Sequence, residues 1–143
     1  MFITFEGIEG SGKTTAQQLL ALELEKRGHD VLLTREPGGS PVAEEIRRVI
    51  LARENAEMTD VCEALLYAAA RAQHLHDTVI PNLERGKLVI CDRYLDSSIA
   101  YQGYGRGLGE QRVRQINWYA QEHCMPDATF LFLLEVDRSF ERI

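Results

Sequence analysis

The sequence is poor in the features that mark secreted and membrane-spanning proteins. It has only three cysteines, Cys62, Cys91 and Cys124, in 143 residues. Their odd number and irregular spacing predict the reduced thiols of a cytoplasmic protein rather than disulfides. The apolar start MFITF follows no basic segment, and no apolar run reaches the length of a membrane span. We therefore expect no disulfide scaffold and no membrane partner.

Basic residues and histidines are also in the minority. The 16 lysines and arginines are outnumbered by 22 acidic residues, whereas a nucleic-acid-binding protein needs a basic face. We therefore expect no nucleic-acid partner. Two of the four histidines, His74 and His76, are two residues apart and do not share a helical face, so they predict no zinc site. What remains is the composition of one globular domain with a real core.

Short apolar segments alternate with longer helical patterns. Strands are predicted at residues 2–6, 31–34, 88–92 and 128–136. Helices are predicted at 13–27, 41–53, 60–86 with an interruption at Pro81, 95–102 and 110–123. This alternation predicts an α/β fold, a parallel sheet with helices on both faces and right-handed crossovers. Ligands of such folds bind beyond the carboxyl ends of the strands.

Two local features of the helices can be predicted. The buried side of the first helix is expected to draw on its leucines, which are Leu19, Leu20, Leu22 and Leu24. Glu63, three residues after Asp60, predicts a capping box at the start of the third helix.

The segment GIEGSGKTT, residues 7–15, matches the phosphate-binding pattern G-x-x-x-x-G-K-[ST] without a gap. A predicted strand precedes it and a predicted helix follows, as this motif requires. Its backbone N–H groups and the helix N-terminus favour phosphate oxygens. Lys13 should reach the β- and γ-phosphates of ATP, and Thr14 should ligate Mg²⁺. The residues expected to bind the donor are Gly7, Gly10, Ser11, Gly12, Lys13, Thr14 and Thr15.

Asp92 ends the apolar strand LVICD, as the magnesium-side carboxylate of a phosphate-loop enzyme does. A helix cap or an ion pair with Arg93 would be the structural alternative. The magnesium role, direct or through water, is favoured because Mg²⁺ prefers oxygen ligands and keeps several waters.

The phosphate loop does not identify the acceptor, which could be water, a protein, a nucleotide or a metabolite. Several arginines lie in or near predicted loops, and Arg93 follows the strand-ending Asp92 directly. A guanidinium at that edge suits a phosphate oxygen pair, which a water-using hydrolase would not need. The arginines of this set are Arg35, Arg47, Arg71, Arg93 and Arg106.

Four segments carry a resemblance to a known family. FEGIEGSGKTT, TREPGG, YAAARAQH and DRYLDSSIAYQGYGRG occur in the order and spacing of bacterial thymidylate kinases, and the resemblance runs from residue 2 to about 136. It implies a three-layer phosphate-loop NTPase fold. It also implies transfer of the ATP γ-phosphate to dTMP with Mg²⁺, giving dTDP for dTTP synthesis.

The resemblance also implies roles for individual residues. Arg47 and Arg93 would clamp the dTMP phosphate, and Glu9 would approach the 3′-hydroxyl; Lys13, Arg93 and Glu9 are the expected catalytic residues. Tyr67, where the family usually has phenylalanine, would stack on thymine. Arg71 would donate a hydrogen bond to thymine O4, and Ser98 and Gln102 would contact the other polar edge of the base. Tyr101 would crowd the 2′ position of the sugar. Glu36 would order the acceptor side, and Pro37 would stiffen the loop that carries it.

Some expectations concern the chain as a whole. Family members are usually homodimers, so a homodimer is expected by resemblance. Some relatives carry an arginine inside the phosphate loop, but Ile8, Glu9, Gly10 and Ser11 include no basic residue. Relatives with this kind of loop use a mobile lid, which would lie beyond Ile143 together with the last strand. Residues 1–143 are thus expected to form one kinase domain that is incomplete at its C-terminal end and turns over poorly.

Three other functions remain open. A kinase for another nucleoside monophosphate would need different contacts at the base edge, although dUMP keeps O4 and should react weakly. A phosphate-loop switch or ATPase would give DRYLDSSIAYQG no role. A structural domain with a vestigial loop conflicts with the intact Lys13, Thr14 and Asp92.

Overall fold

Four parallel strands form the centre of the molecule. The structure is a computed structural model that describes residues 1–142. The sheet has the strand order β2-β3-β1-β4, so the first strand lies between the third and the fourth. Asp92, at the end of β3, is in register with Phe5 of β1 and with Arg35 of β2. The strands are β1 (Phe2–Gly7), β2 (Val31–Arg35), β3 (Leu88–Asp92) and β4 (Ala128–Phe132).

Helices connect the strands. The helix after β3 continues as a π-helical segment at Ile99–Gly105, and the long third helix changes to π-helical turns at Leu75–Val79, just before Pro81. The predicted interruption near Pro81 is therefore confirmed. The α-helices are α1 (Lys13–Lys26), α2 (Pro41–Leu51), α3 (Asp60–His74), α4 (Ile80–Glu84), α5 (Leu95–Ser98), α6 (Glu110–Gln121) and α7 (Val136–Phe140).

Alternation along β1 and β3 divides the core into two parts. Phe2, Val89 and Cys91 point to one face, where they pack against residues of the π-helical segment Leu75–Val79 and of α4, α5 and α6. Ile3, Phe5 and Ile90 point to the other face and pack against α1. The predicted parallel sheet with helices on both faces is thus confirmed. Among the described residues, no helix is long and apolar enough to cross a membrane.

The predicted fourth strand is too long. It was expected to reach residue 136, but β4 ends at Phe132, and Leu133 is 86% exposed. β4 pairs with β1 only up to Gly7, where the chain turns into the phosphate-binding loop. A strand at this position loses its hydrogen-bonding partner there, so the apolar pattern that continues beyond it does not extend the ladder.

Two local predictions about the helices were wrong in part. Leu19 and Leu22 are exposed, and α1 instead buries Gln17 and Ala21 together with part of Leu20 and Leu24. No capping box forms at the start of α3. The N-cap is Thr59, whose hydroxyl accepts a hydrogen bond from the backbone N–H of Cys62. Glu63 instead accepts hydrogen bonds from Gln102 and Arg106.

Candidate active site

The segment between β1 and α1 has the geometry of a phosphate-binding loop. Gly7, Gly10 and Gly12 all have positive φ angles, which glycine adopts without strain. At Gly7 a Cβ atom would lie 2.6 Å from the carbonyl oxygen of Phe132, so the loop also needs glycine for space. The predicted donor-binding residues from Gly7 to Thr15 thus occupy this loop and the first turn of α1.

Lys13 folds back into the loop. Its Nζ donates hydrogen bonds to the carbonyl oxygens of Gly7, at 2.7 Å, and Ile8, at 2.9 Å. Burial and the nearby charge of Arg93 lower the pKa of Lys13 below its ordinary value. The ammonium thus has only carbonyl oxygens as hydrogen-bond partners, and a phosphate bound in the loop would provide a negative counter-charge for it.

Asp92 and the hydroxyl of Ser11 lie at the same edge of the sheet. Among the described residues, Oδ1 of Asp92 and Oγ of Ser11 are buried without a hydrogen-bond partner. The unused acceptor capacity of these two oxygens suits a ligand that brings a cation or hydrogen-bond donors, because a buried acceptor without a partner is costly. Asp92 and the Thr14 hydroxyl offer the hard oxygen atoms that Mg²⁺ prefers, so the residues present fit this ion.

A cleft of about 300 Å³ opens beside the loop. It brings together all ten residues predicted to contact the acceptor, although they come from five separate parts of the chain. These residues are Glu9, Glu36, Pro37, Arg47, Tyr67, Arg71, Arg93, Ser98, Tyr101 and Gln102. It is also lined by Arg35, Leu51, Asp92, Tyr94 and Ser97. Of these, Asp92 was predicted as a magnesium ligand and Arg35 belongs to the set of candidate arginines.

Arg93 holds an unusual position in this cleft. Its φ angle is +70°, in the left-handed region that residues other than glycine rarely adopt. Nη1 donates hydrogen bonds to Oγ of Ser97, at 3.3 Å, and to the hydroxyl of Tyr101, at 3.2 Å. The guanidinium also lies 5.2 Å from the centre of the Tyr101 ring. The strained backbone and these contacts fix the cation directly beside the strand-ending Asp92.

Two more cations meet at one carbonyl group. Nη1 of Arg47 and Nη1 of Arg35 each donate a 2.8 Å hydrogen bond to the carbonyl oxygen of Pro37. Arg35 also forms an ion pair with Glu44, which limits its availability to a ligand. Arg47 has no such carboxylate partner among the described residues, so its remaining N–H groups can serve an anion in the cleft.

Arg71 is buried at the inner end of the cleft. Its Nε donates to Glu36 at 2.7 Å, its Nη2 donates to Ser98 at 3.1 Å, and its Nη1 donates to Asn117. The guanidinium lies over the ring of Tyr94, 4.8 Å from its centre. Because three of its five N–H groups are occupied, at most two remain for a ligand.

Tyr67 and Gln102 line the same cleft as Arg71. Tyr67 is half-buried, and this burial raises the pKa of its phenol, so the ring is neutral. The Gln102 amide donates a 2.8 Å hydrogen bond to Glu63, which also pairs with Arg106. One side of the cleft thus offers an aromatic face, and the amide of Gln102 is oriented by a carboxylate.

Two buried residues next to the site, Asn117 and His74, were not predicted from the sequence. Asn117 is 1% exposed and His74 is fully buried, and both join the hydrogen-bond network around Arg71. His74 could have been found, because it follows Arg71 by three residues and shares its helical face. Asn117 could not, because nothing in its local sequence distinguishes it from the exposed polar residues of α6.

A phosphate-binding loop at the carboxyl edge of a parallel sheet, with a helix directly after it, defines the class of phosphate-loop NTPases. The sequence profile described as "Thymidylate kinase" matches residues 5–143 of the chain. The chain is 53% identical to the thymidylate kinase of Bacillus pumilus and 54% identical to that of Oceanobacillus iheyensis, over all 143 residues. The chain belongs to the thymidylate kinase family.

A solved structure agrees with this assignment. The crystal structure of thymidylate kinase from Ehrlichia chaffeensis superposes with a TM-score of 0.87 at 40% identity. The match covers 99% of this chain and 81% of that one. The chain spans 68% of the length of the Bacillus pumilus protein and 64% of the length of the Oceanobacillus iheyensis protein, so both curated relatives are longer.

Proposed function

We propose that this protein transfers the γ-phosphate of ATP to dTMP, giving dTDP and ADP. The observation that carries the proposal is the cleft beside the phosphate loop. It combines free arginine donors, an aromatic face and a buried guanidinium, which together suit a pyrimidine nucleotide. Water as the acceptor would use none of these groups. Membership of the thymidylate kinase family supports the choice of dTMP.

The donor nucleotide would bind in the loop between β1 and α1. Its β- and γ-phosphates would take the N–H groups of the loop and the ammonium of Lys13. Thr14 and Asp92 would hold Mg²⁺, directly or through water. The ion supplies charge neutralisation between the phosphates.

The acceptor would lie in the cleft with its phosphate towards Arg47 and Arg93. The base would stack on Tyr67 and meet Arg71, with Ser98 and Gln102 at its polar edge. Near the sugar, Glu9 would approach the 3′-hydroxyl, and Tyr101 would crowd the 2′ position. Glu36 and Pro37 would order this side of the cleft.

The reaction then needs alignment rather than a strong base. An oxygen of the dTMP phosphate attacks the γ-phosphorus, a new P–O bond forms, and the bond to the β-phosphate oxygen breaks. The nucleophile is already an anion, so no proton must be removed from it. Lys13 and Arg93 hold two mutually repelling polyanions together and neutralise the charge that moves to the leaving ADP.

The proposal is tested by following ATP radiolabelled in its γ-phosphate. Label should appear in dTDP with dTMP, more weakly in dUDP with dUMP, and in neither dCDP nor dGDP. Lys13→Met should abolish transfer in every case while leaving dTMP binding intact. If label is released as free phosphate at the same rate with and without an acceptor, the protein is an ATPase and the proposal is wrong. If label is transferred only to dCMP or dGMP, that nucleotide and not dTMP is the acceptor.

We also propose that the protein is a homodimer in the cytoplasm. Val61 and Leu65 of α3 and Trp118 of α6 are all at least 45% exposed, and these two helices pack against each other. Exposed apolar side chains on two neighbouring helices are typical of an interface. The cytoplasmic location is proposed from the sequence, whose three irregularly spaced cysteines are typical of reduced thiols.

A further inference from the structure

His74 connects the second strand to the acceptor cleft without lining the cleft itself. Its ring is fully buried, with Nε2 2.7 Å from Oγ1 of Thr34 and Nδ1 3.0 Å from Oε1 of Glu36. An ionised carboxylate only accepts hydrogen bonds, so Nδ1 must carry the proton. In the neutral ring, Nε2 then accepts a hydrogen bond from the Thr34 hydroxyl, and both ring nitrogens are used.

Glu36 links His74 to Arg71 by hydrogen bonds. Its second oxygen, Oε2, accepts the 2.7 Å hydrogen bond from Nε of Arg71, and both side chains are buried. His74 and Arg71 therefore hold the two oxygens of one carboxylate. Rotation of that carboxylate would break both hydrogen bonds, so the histidine ring helps to orient the guanidinium, together with Ser98 and Asn117.

The loop after β2 is shaped to admit the histidine ring. A Cβ atom on Gly39 would lie 2.5 Å from Cδ2 of His74 and 2.7 Å from Oγ1 of Thr34. Thr78 donates a 2.8 Å hydrogen bond to the carbonyl oxygen of the same glycine. The segment that carries Glu36 is thus packed directly on the ring that holds its carboxylate.

A metal ion does not account for this arrangement. Ligand atoms of Glu36, His74 and Cys91 lie within 4.8 Å of one another. Burial raises the pKa of the Cys91 thiol well above its ordinary value, however, and its Sγ donates to the carbonyl oxygen of Arg93. Both Glu36 oxygens and both His74 nitrogens have partners. The cluster is a satisfied hydrogen-bond network.

We propose that His74 is a positioning residue for acceptor recognition, which acts through Glu36 to fix the guanidinium of Arg71 at the inner end of the cleft. The proposal rests on the proposed function, because Arg71 is there the group that reads the base. A guanidinium fixed before binding loses less conformational entropy when the ligand arrives. Among the described residues, His74 forms side-chain hydrogen bonds with Thr34 and Glu36 and with no residue of the phosphate loop, so it should affect acceptor binding and leave donor binding unaffected.

Two substitutions at His74 test separately the hydrogen bond of Nδ1 with Glu36 and that of Nε2 with Thr34. The amide nitrogen of asparagine can take the place of Nδ1, so His74→Asn keeps a donor for Glu36 and loses the contact with Thr34. The amide of glutamine extends to the position of Nε2, so His74→Gln keeps the contact with Thr34 and loses the donor for Glu36. His76→Gln, at an exposed position two residues further along, is the matched control.

The affinities for dTMP, dCMP and Mg-ATP are measured by calorimetry, together with the melting temperature. We expect His74→Gln to weaken dTMP binding by about tenfold or more and to reduce the preference for dTMP over dCMP. His74→Asn should recover most of this loss, to within about threefold of the unsubstituted protein. Mg-ATP affinity should not change in any variant, and His76→Gln should bind like the unsubstituted protein.

Two results would overturn the inference. One is unchanged dTMP affinity and base preference in His74→Gln. The other is an equal loss of dTMP and Mg-ATP affinity in both His74 variants, in step with their melting temperatures, which would indicate a structural role alone.

The NMR signal of the Arg71 Nε–H group gives a readout that needs no ligand. In the unsubstituted protein and in His74→Asn it should exchange slowly with water, and in His74→Gln quickly. If the unsubstituted protein binds no dTMP, the proposed function fails. Dependence of this signal on His74 would then still support the positioning of Arg71, and independence would overturn it.

Discussion

Oε1 of Glu6 accepts a 2.8 Å hydrogen bond from the backbone N–H of Tyr94. This contact joins the strand that precedes the phosphate loop to the segment that carries Arg93. The second carboxylate oxygen, Oε2, accepts from the hydroxyl of Ser97 at 2.5 Å, and Oγ of Ser97 accepts in turn from Arg93. Glu6 is 3% exposed, so the donor side and the acceptor side of the site share one buried carboxylate.

Glu6→Gln should destabilise the protein by about 1–3 kcal/mol near neutral pH, because the amide offers one acceptor where the carboxylate offers two. Burial raises the pKa of Glu6 above its ordinary value of 4.5, although hydrogen bonds from Ser97 and Tyr94 oppose the shift. The folded protein therefore holds this proton more tightly than the unfolded chain. The contribution of Glu6 protonation to the free energy of unfolding is fully present below pH 4.5, and it decreases as the pH rises through the pKa of Glu6 in the folded protein.

Urea unfolding at several pH values checks both parts of this prediction. Because Glu6→Gln has no proton to lose, its deficit relative to the unsubstituted protein should be largest at low pH and smaller near neutrality. A deficit that grows with pH would show that the folded protein lowers this pKa, contrary to the burial argument.

Tyr67→Phe should bind dTMP within about twofold of the unsubstituted protein, whereas Tyr67→Ala should lose about 1–3 kcal/mol of binding free energy. Phenylalanine keeps the aromatic face and removes only a hydroxyl. Calorimetry with dTMP measures both affinities. Equal losses in the two variants would identify the hydroxyl, rather than the ring, as the contact with the ligand.

The parts of the site that could be predicted are those with strong local signals. The phosphate loop is a gapless motif between a strand and a helix, and Asp92 ends an apolar strand. Tyr67 and Arg71 were placed by their four-residue spacing on one helix together with the family resemblance. Their assigned roles towards a ligand remain predictions.

The parts that could not be predicted depend on contacts between distant segments. Arg71 is fixed by Glu36, Ser98 and Asn117, which are 35, 27 and 46 residues away. No local pattern indicates which buried polar groups will meet. The end of β4 was missed for a related reason, because it is set by the end of the neighbouring strand and not by the apolar sequence that continues past Phe132.

Gly39→Ala should destabilise the protein more than Gly28→Ala. The two glycines have nearly the same φ angle, +85° and +87°, so the backbone strain of the new residue is matched, at about 1–2 kcal/mol. Among the described residues, a Cβ on Gly28 would meet nothing within 4 Å, whereas on Gly39 it would meet the ring of His74 at 2.5 Å. Overpacking should therefore add about 1–3 kcal/mol at Gly39.

Urea unfolding compares the two glycine variants, and calorimetry with dTMP compares their binding. Gly39→Ala should also weaken dTMP binding, because the displaced ring no longer holds Glu36. If the two variants lose equal stability and bind dTMP equally, the loop adjusts to the extra methyl group and the ring is not tightly enclosed.

Leu65→Glu should convert the proposed homodimer to a monomer without unfolding it. Leu65 is 52% exposed on α3, so a charge there costs little in the folded monomer but would be buried without a partner at the interface. Leu19→Glu is the matched control, because Leu19 is 63% exposed on α1, which packs on the opposite face of the sheet. Light scattering after size exclusion measures both masses. A dimer that survives Leu65→Glu but dissociates with Leu19→Glu would place the interface on α1, and a monomer before any substitution would remove the proposal of a dimer.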